Sequence, residues 1–294
     1  MRYLHCSDVH VTDAYRTRQL LRLGWRRWIA LAELQLGGRA RRFAHAEETL
    51  RHIARDAEGQ GVDHLILSGD VTAYAMPDEF TRARSALAPW VEDAARASVI
   101  PGNHDRYTPG ALASRRFEGS FGQLLSSDIP ELAVEDGFPV VRLLGERDAV
   151  VGLCSARVAP FPGLSYGVIG KPQLQALERL VADPRLAGRA VLVAVHHAPF
   201  NASGSPDRAS HGLVDAQQLL ALLPGPRFAV LHGHIHHRFH HPATASRPHI
   251  FGAGSSTEAG DEGYWLIETA GGQISSARAL RPQPLTPAAT AGTA

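Results

Sequence analysis

Five short motifs carry side chains that bind divalent metal ions, and they are spread over most of the chain. They are Asp8-Val9-His10, Gly69-Asp70, Gly102-Asn103-His104-Asp105, His196-His197 and Gly233-His234-Ile235-His236. Two carboxylates, one amide and four imidazoles can supply two divalent ions with mixed oxygen and nitrogen ligands, provided that one carboxylate is shared. Asp70 is the natural bridge, so the motifs predict a dinuclear metal site.

Each motif follows a short apolar run that is typical of a buried strand. The runs cover residues 3–6, 65–67, 98–100, 191–195 and 228–231, and each is rich in branched residues and closed by Gly, Pro or a polar residue. Runs of this kind indicate strands that are buried on both faces. Five strand ends are therefore expected to present Asp, His and Asn side chains at one rim of an α/β fold.

Helical patterns alternate with these strands. They cover residues 43–61, 76–89 and 171–181, the last with Pro172 in the first turn, where the missing N–H costs nothing. Residues 140–144 and 150–154 indicate paired strands, and two late strands, at 249–251 and 264–268, are expected to complete a second sheet. Residues 281–294 contain Pro, Ala and Thr without an apolar period and are expected to be a disordered tail.

The motifs resemble the ordered blocks of the calcineurin-like metallophosphoesterase superfamily, which read D-x-H, G-D, G-N-H-[DE], H and G-H-x-H. All five stand in this chain without a substitution, between residues 8 and 236. The resemblance implies a four-layer α/β/β/α sandwich over residues 1–280, with the dinuclear site at the carboxyl ends of its strands. It also implies two divalent ions, for which Mn, Fe and Zn suit these ligand types about equally.

The resemblance assigns ligands to both metals. The first would be held by Asp8, His10, Asp70 and His236, and the second by Asp70, Asn103, His234 and one histidine of the pair His196-His197. His197 is the favoured member of the pair because the family's His-x-Pro context reads His197-Ala198-Pro199 here. His196 is the alternative.

The resemblance further implies hydrolysis of a phosphoester by a metal-bridging hydroxide. His104 would hydrogen-bond the phosphoryl group or protonate the departing oxygen. Asp105 is expected to hold the His104 ring in one tautomer. Asn103, His104 and Arg106 are the expected substrate contacts.

The family's protein phosphatases extend two of these blocks as G-D-x-V-D-R-G and G-N-H-E. This chain instead has Val71-Thr72-Ala73 after Gly69-Asp70, and Asp105 in place of Glu. It therefore resembles the bacterial phosphodiesterase-like branch, which acts on cyclic nucleotides and small diesters. The alternatives are a lipid-linked diphosphate or phospholipid hydrolase at a membrane surface and, in another class, a scaffold or docking protein on the same fold.

Residues 16–42 form an insertion-like segment with eight arginines and the single acid Glu33. Helical spacing places arginines on one arc and Leu21, Trp25 and Trp28 on the adjoining arc, which predicts a basic amphipathic helix beside the entrance of the active site. Such helices bind anionic membrane surfaces or acidic partners, cap a substrate pocket, or pack on the protein's own sheet. An anionic membrane surface is therefore a second expected partner besides the phosphorylated substrate.

Composition sets the remaining expectations. The chain has 294 residues, 44% of them hydrophobic, and a formal net charge of +1. It is therefore expected to be a globular protein, and its total charge does not indicate that it binds nucleic acid. Residues 1–4 run directly into the first strand, which leaves no room for a signal peptide. Cys6 and Cys154 lie in apolar runs and are expected to be buried free thiols in the cytoplasm, peripheral to the inner face of the membrane if residues 16–42 bind lipid.

Overall fold

Eleven strands lie in the residues that the computed structural model describes, which are 1–12, 39–106, 108–158, 161 and 163–283. In chain order they are β1 Arg2–Cys6, β2 His64–Leu67, β3 Ala97–Val99, β4 Val140–Leu144, β5 Asp148–Gly152, β6 Ala190–Ala194, β7 Phe228–His232, β8 Arg238–His241, β9 His249–Ala253, β10 Tyr264–Ala270 and β11 Gln273–Leu280. The predicted strands are present, with ends that differ by a few residues.

The same residues contain seven α-helices and several short 3₁₀ turns. The helices are α1 Arg39–Arg42, α2 Ala46–Gly59, α3 Pro77–Leu87, α4 Pro109–Ala113, α5 Arg116–Phe121, α6 Lys171–Ala182 and α7 Ala216–Ala221. In α2 the buried residues Ala46, Leu50, Ile53 and Ala57 recur every three or four positions, so one face of the helix packs on the protein. None of the described helices has the length and apolar character needed to span a membrane.

The strands form two sheets. The first has the order β11-β10-β1-β2-β3, and the second has the order β4-β5-β6-β7-β9-β8. Strands β1, β2 and β3 are parallel, as are β5, β6, β7 and β9. Parallel neighbours end at the same edge of a sheet, and this arrangement gathers the loops that follow β1, β2, β3, β6 and β7.

Side chains from opposite faces of the strands fill separate cores. In β6, Leu192 packs between the two sheets, whereas Val191 and Val193 pack against the helices that cover the second sheet. Leu50 of α2 and Phe80 of α3 pack on the outer face of the first sheet. The successive layers are helices, sheet, sheet and helices, which confirms the predicted four-layer α/β/β/α architecture.

Three expectations have specific outcomes. The late strand β10 does not join the second sheet: it pairs antiparallel with β1 in the first, with Arg2 opposite Glu268. Cys6 and Cys154 are buried free thiols, as expected. Most of the predicted helix over residues 16–42 lies outside the described residues, and so does most of the predicted tail. Of the segment 16–42, the structure describes only residues 39–42, which form α1.

Candidate metal centre

The loops after the strands are held side by side by backbone hydrogen bonds. Asp8 N donates to Gly69 O at 3.1 Å, and His10 N donates to Asp70 O at 3.0 Å, so the first two motifs run in register beyond the ends of β1 and β2. Across the rim, Gly233 N donates to His196 O at 3.1 Å. The motifs from both sheets therefore meet at one edge of the sandwich.

Backbone strain is concentrated in these loops. Eight described residues other than glycine have positive φ angles, and five of them belong to the motifs: Asp8, His10, Asp70, His234 and His236. The left-handed region is unfavourable for residues with a Cβ and persists only where the surrounding structure enforces it. This clustering is typical of a functional site.

The first donor set comprises Asp8, His10 and His236. His10 Nε2 lies 3.3 Å from His236 Nε2, and Asp8 Oδ1 lies 3.4 Å from His236 Nε2 and 3.8 Å from His10 Nε2. These ligand atoms all lie within 4.8 Å of one another. Two nitrogens bound to one ion at about 2.0–2.1 Å with tetrahedral angles would stand about 3.3 Å apart, so the spacing fits a shared cation.

Asp70 lies between the first donor set and the second, which comprises Asn103, His234 and one histidine of the pair His196-His197. Its Oδ2 atom is 3.9 Å from His10 Nε2 on one side and 3.3 Å from His196 Nε2 on the other. His196 Nε2 is also 3.1 Å from Asn103 Oδ1. The carboxylate of Asp70 is therefore placed to serve both sets.

The geometry favours His196 of the two adjacent histidines. His196 places Nε2 among ligand atoms of Asp70 and Asn103, while its Nδ1 donates to Ser68 O at 3.0 Å. His197 places Nδ1 2.8 Å from Ser155 Oγ, and its ring lies 4.4 Å from that of His234. We therefore assign His196, and not the His197 of the His-x-Pro context, to the second set.

Hydrogen bonds select the ligating nitrogen of the two histidines in the last motif. His234 Nε2 donates to His211 O at 3.0 Å, which leaves Nδ1 as its ligand atom. His236 Nδ1 donates to Glu258 Oε2 at 3.1 Å, which leaves Nε2. Because the second ring nitrogen of a metal-bound histidine normally donates to an acceptor, both rings are arranged as ligands.

His104 stands beside the first donor set. Its ring centroid is 4.9 Å from that of His10, and its backbone N–H donates to Asp70 Oδ1 at 2.8 Å. Its Nδ1 donates to Ala73 O at 2.7 Å. The carbonyl of Ala73 therefore orients this ring, which is the role that the sequence had suggested for Asp105.

Asp105 instead ties the loops together. Its buried carboxylate accepts hydrogen bonds from the backbone N–H groups of Val71, Thr72 and Gly102 and from the Thr72 hydroxyl, at 2.9–3.1 Å. Burial and the nearby Asp70 raise the pKa of Asp105 to about 7, against the opposite effect of these donors. Asp105 therefore fixes the backbone next to the candidate ligands Asp70 and Asn103.

Arg106 is not placed to contact substrate, contrary to the sequence-based expectation. It is 3% exposed, and its guanidinium forms ion pairs with Glu118 at 2.5 Å and Asp136 at 2.8 Å. These two carboxylates balance its positive charge, which fits a structural role.

The electrostatics of the site fit a bound cation. Burial raises the pKa of Asp70, but the His196 and His104 rings outweigh burial and hold it well below its usual range. Burial lowers the pKa of His196, but Asp70 overcomes this effect and raises it to about 9. The charge of Asp70 thus favours a positive charge beside it, which a divalent ion would supply in place of a proton, since metals displace protons from their ligands.

The remaining charges agree with this fit. Asp8 and Asp70 are buried, and among the described residues no arginine or lysine forms an ion pair with either. Burial lowers the pKa of His234 well below its usual value, which keeps that ring neutral as a ligand must be. Two buried carboxylates whose ion pairs within the described residues are all with imidazoles are a suitable environment for two divalent ions.

The sequence reasoning missed several supporting groups. Ala73 and Glu258 each hydrogen-bond a histidine of the site, Ser155 hydrogen-bonds the adjacent His197, and the tilted ring of His211 lies 4.1 Å from that of His234 between centroids. No motif marks these residues. The glycines of the motifs were a usable signal, because a Cβ at Gly102 or Gly233 would collide with the carboxylate of a predicted ligand.

A family model for calcineurin-like phosphoesterases matches residues 1–238. The chain belongs to this family. It is therefore a metal-dependent phosphoesterase of a family that uses dinuclear metal centres, and the Asp and His groups described above are its candidate ligands. A comparison with curated protein sequences found no match.

Solved structures show the same fold at low sequence identity. A dimetal phosphatase from Danio rerio is 13% identical with a TM-score of 0.55, over 96% of this chain and 99% of that one. The purple acid phosphatase PPD1 from yellow lupin (Lupinus luteus) seeds is 11% identical with a TM-score of 0.56, over 95% of this chain and 53% of that one. These similarities establish the fold, and the substrate has to be inferred from the residues of the site.

Proposed function

We propose that this phosphoesterase hydrolyses phosphodiesters, such as cyclic nucleotides or other small diesters, in preference to phosphomonoesters. The observation that carries the proposal is the supply of positive charge around the donor sets. A phosphomonoester carries about −1.5 to −2 charges near pH 7, whereas a diester carries a single negative charge. A monoester therefore benefits more than a diester from a further cation in the site.

The described part of the chain offers imidazoles and an amide beside the metals. The guanidinium of Arg106 is enclosed by Glu118 and Asp136, and that of Arg42 pairs with Glu258 at 2.5 Å. The sequence also lacks the arginine that the family's protein phosphatases carry after the Gly-Asp block. This distribution of charge supports a monoanionic substrate.

Two divalent ions, when bound, would supply an activated water and neutralise charge at phosphorus. The chain's own contribution comes from His104, whose ring is fixed by the Ala73 carbonyl and whose backbone is tied to Asp70. With Nδ1 donating to Ala73, Nε2 is the atom that faces the phosphoryl group or the departing oxygen, and it donates a proton there when the ring is protonated on both nitrogens. Asn103 provides the amide of the second set.

The test is a comparison of kcat/KM for bis-p-nitrophenyl phosphate, p-nitrophenyl phosphate and cyclic nucleotides with the metal-loaded full chain. We expect the diesters to be turned over with the higher kcat/KM, and Asp70→Ala to abolish that activity, which controls for contaminating hydrolases. Faster turnover of p-nitrophenyl phosphate would refute the diester preference. Absence of turnover in a metal-replete sample would instead favour the scaffold alternative.

A second substrate class, lipid-linked diphosphates or phospholipids at an anionic membrane surface, is favoured by one observation. The end of the arginine-rich segment adjoins the site, because the Phe43 ring packs against His10 at 4.9 Å between centroids. Lipid phosphates held at this end of the segment would then lie near the metals. Salt-sensitive binding to anionic liposomes, reduced when Trp25 and Trp28 are both changed to Ala, is expected under this proposal, and indifference to liposomes would exclude it.

A further inference from the structure

Glu258 connects the first donor set to the end of the arginine-rich segment. One carboxylate oxygen accepts the hydrogen bond from His236 Nδ1 at 3.1 Å, and the other pairs with Arg42 Nη1 at 2.5 Å. Arg42 is the last residue of α1, and its carbonyl accepts a hydrogen bond from Ala259 N at 2.8 Å. Side chain and backbone thus join the same two segments.

The loop that carries Glu258 is fastened to the loop that carries Asp8. Ser255 Oγ donates to Asp8 O at 2.8 Å, and Thr257 Oγ1 donates to Val9 O at 2.6 Å. Ser256 N donates to Ser7 O at 2.9 Å. These hydrogen bonds fix the backbone of Glu258 relative to the first donor set. The position of its carboxylate next to His236 is therefore well defined.

We propose that Glu258 is the positioning residue for His236 in the first metal site and that Arg42 holds Glu258 in place. The hydrogen bond from Nδ1 to Glu258 keeps Nε2 unprotonated and turned towards Asp8 and His10. The negative charge of the carboxylate raises the basicity of the ring, which strengthens its bond to a cation. The first metal site therefore depends on an ion pair at the end of the arginine-rich segment.

The proposal predicts graded effects on metal affinity. Glu258→Ala removes both the acceptor and the charge and should weaken Co²⁺ binding at one of the two sites about 10–100-fold. Glu258→Gln keeps an acceptor for Nδ1–H but removes the charge, so its loss should be smaller. Arg42→Gln should weaken the same site by less than about fivefold, because the Arg42 side chain is 51% exposed and exposed ion pairs are weak.

The experiment is a Co²⁺ titration of the chelator-stripped full chain, followed by visible absorption and by competition with a chelating dye. It is run at low salt and at about 1 M NaCl, where the screening length falls to ~3 Å. The deficit of Arg42→Gln should shrink at high salt. Arg51→Gln is the matched control, since it removes an ion pair with Glu47 from a side chain that is 44% exposed, and it should leave both sites unchanged.

Selective weakening of one site in both Glu258 variants, with the larger loss in Glu258→Ala, supports the proposal. Unchanged Co²⁺ affinity in Glu258→Ala, or equal weakening of both sites, overturns it. Urea unfolding of each apo variant identifies a change in folding. If Glu258→Ala does not fold, the proposal is judged by Arg42→Gln: a loss of Co²⁺ affinity that shrinks at high salt supports it, and an unchanged affinity overturns it. The titration needs no substrate, so its outcome is independent of the proposed diester preference.

Discussion

Gly233→Ala tests whether the close packing of the motif loops holds the first metal ligand in place. A Cβ at this position would stand 2.7 Å from Ser7 Cβ and nearer still to Ser7 Oγ and Asp8 Oδ2. Non-bonded carbon atoms pack at about 3.5–4.0 Å, so the carboxylate and the serine would have to recede by about 1 Å. Metal–ligand distances are held to within about 0.2 Å, and a shift of this size should remove Asp8 from the first site.

The same shift should reduce stability. Over-packing of a filled interior costs about 1–3 kcal/mol, and movement of Asp8 also stretches the hydrogen bond from His234 N, which is 2.8 Å long. We therefore expect the apo variant to lose about 1–3 kcal/mol of unfolding free energy in urea. Elemental analysis should show that the metal-loaded variant retains one ion per chain in place of two.

Gly119→Ala is the matched control. Gly119 lies in α5, and a Cβ built there meets nothing within 4 Å. This change should leave both metals bound and raise stability by about 0.4–1 kcal/mol, because alanine restricts the unfolded chain. Retention of two metals and unchanged stability in Gly233→Ala would refute the reasoning that this glycine makes room for the Asp8 carboxylate.

Three further predictions concern single histidines. His104→Ala should keep both metals and lose about 10²–10⁴-fold in kcat on diesters with poor leaving groups and less on activated ones; an equal loss on both would show that His104 only positions the phosphoryl group. His196→Ala should deplete bound metal, measured by elemental analysis, whereas His197→Ala should not, and the opposite result would restore the His-x-Pro assignment. Burial lowers the pKa of His64 to about 4, so its contribution to stability is present above its unfolded pKa of about 6.5. That contribution should be lost as the pH falls from 6.5 to about 4, by up to about 3 kcal/mol; urea unfolding of His64→Gln should show a weaker pH dependence, and an unchanged one would refute this role.

The strands and the motif loops could be predicted because their signals are local. A short run of branched apolar residues that ends in Gly or a polar residue indicates a buried strand and its end without reference to the rest of the chain. Asp8, Asp70 and Asn103 were predictable in this way. Alternation of strands with helices then limits the architecture to layered α/β folds.

Contacts between distant segments account for what could not be predicted. The pairing of β10 with β1 joins residues that are far apart in the chain, such as Arg2 and Glu268. The apolar pattern of a strand does not indicate which other strand it pairs with. The preference for His196 over His197 depends on hydrogen bonds to Ser68 and Ser155, which lie in loops after other strands. The surroundings of Arg106 were equally hidden, because a charged residue after a turn gives no sign that two carboxylates enclose it.

The metal content of the wild type and of Asp70→Ala tests the central claim most directly. After loading with Mn²⁺ or Zn²⁺ and removal of excess ions, elemental analysis should find two ions per folded wild-type chain. Asp70→Ala should lose more metal than Asp8→Ala or Asn103→Ala, since Asp70 Oδ2 lies between His10 and His196 and serves both donor sets. One ion or none in the folded wild type, or two ions retained in Asp70→Ala, would contradict a dinuclear site bridged by Asp70.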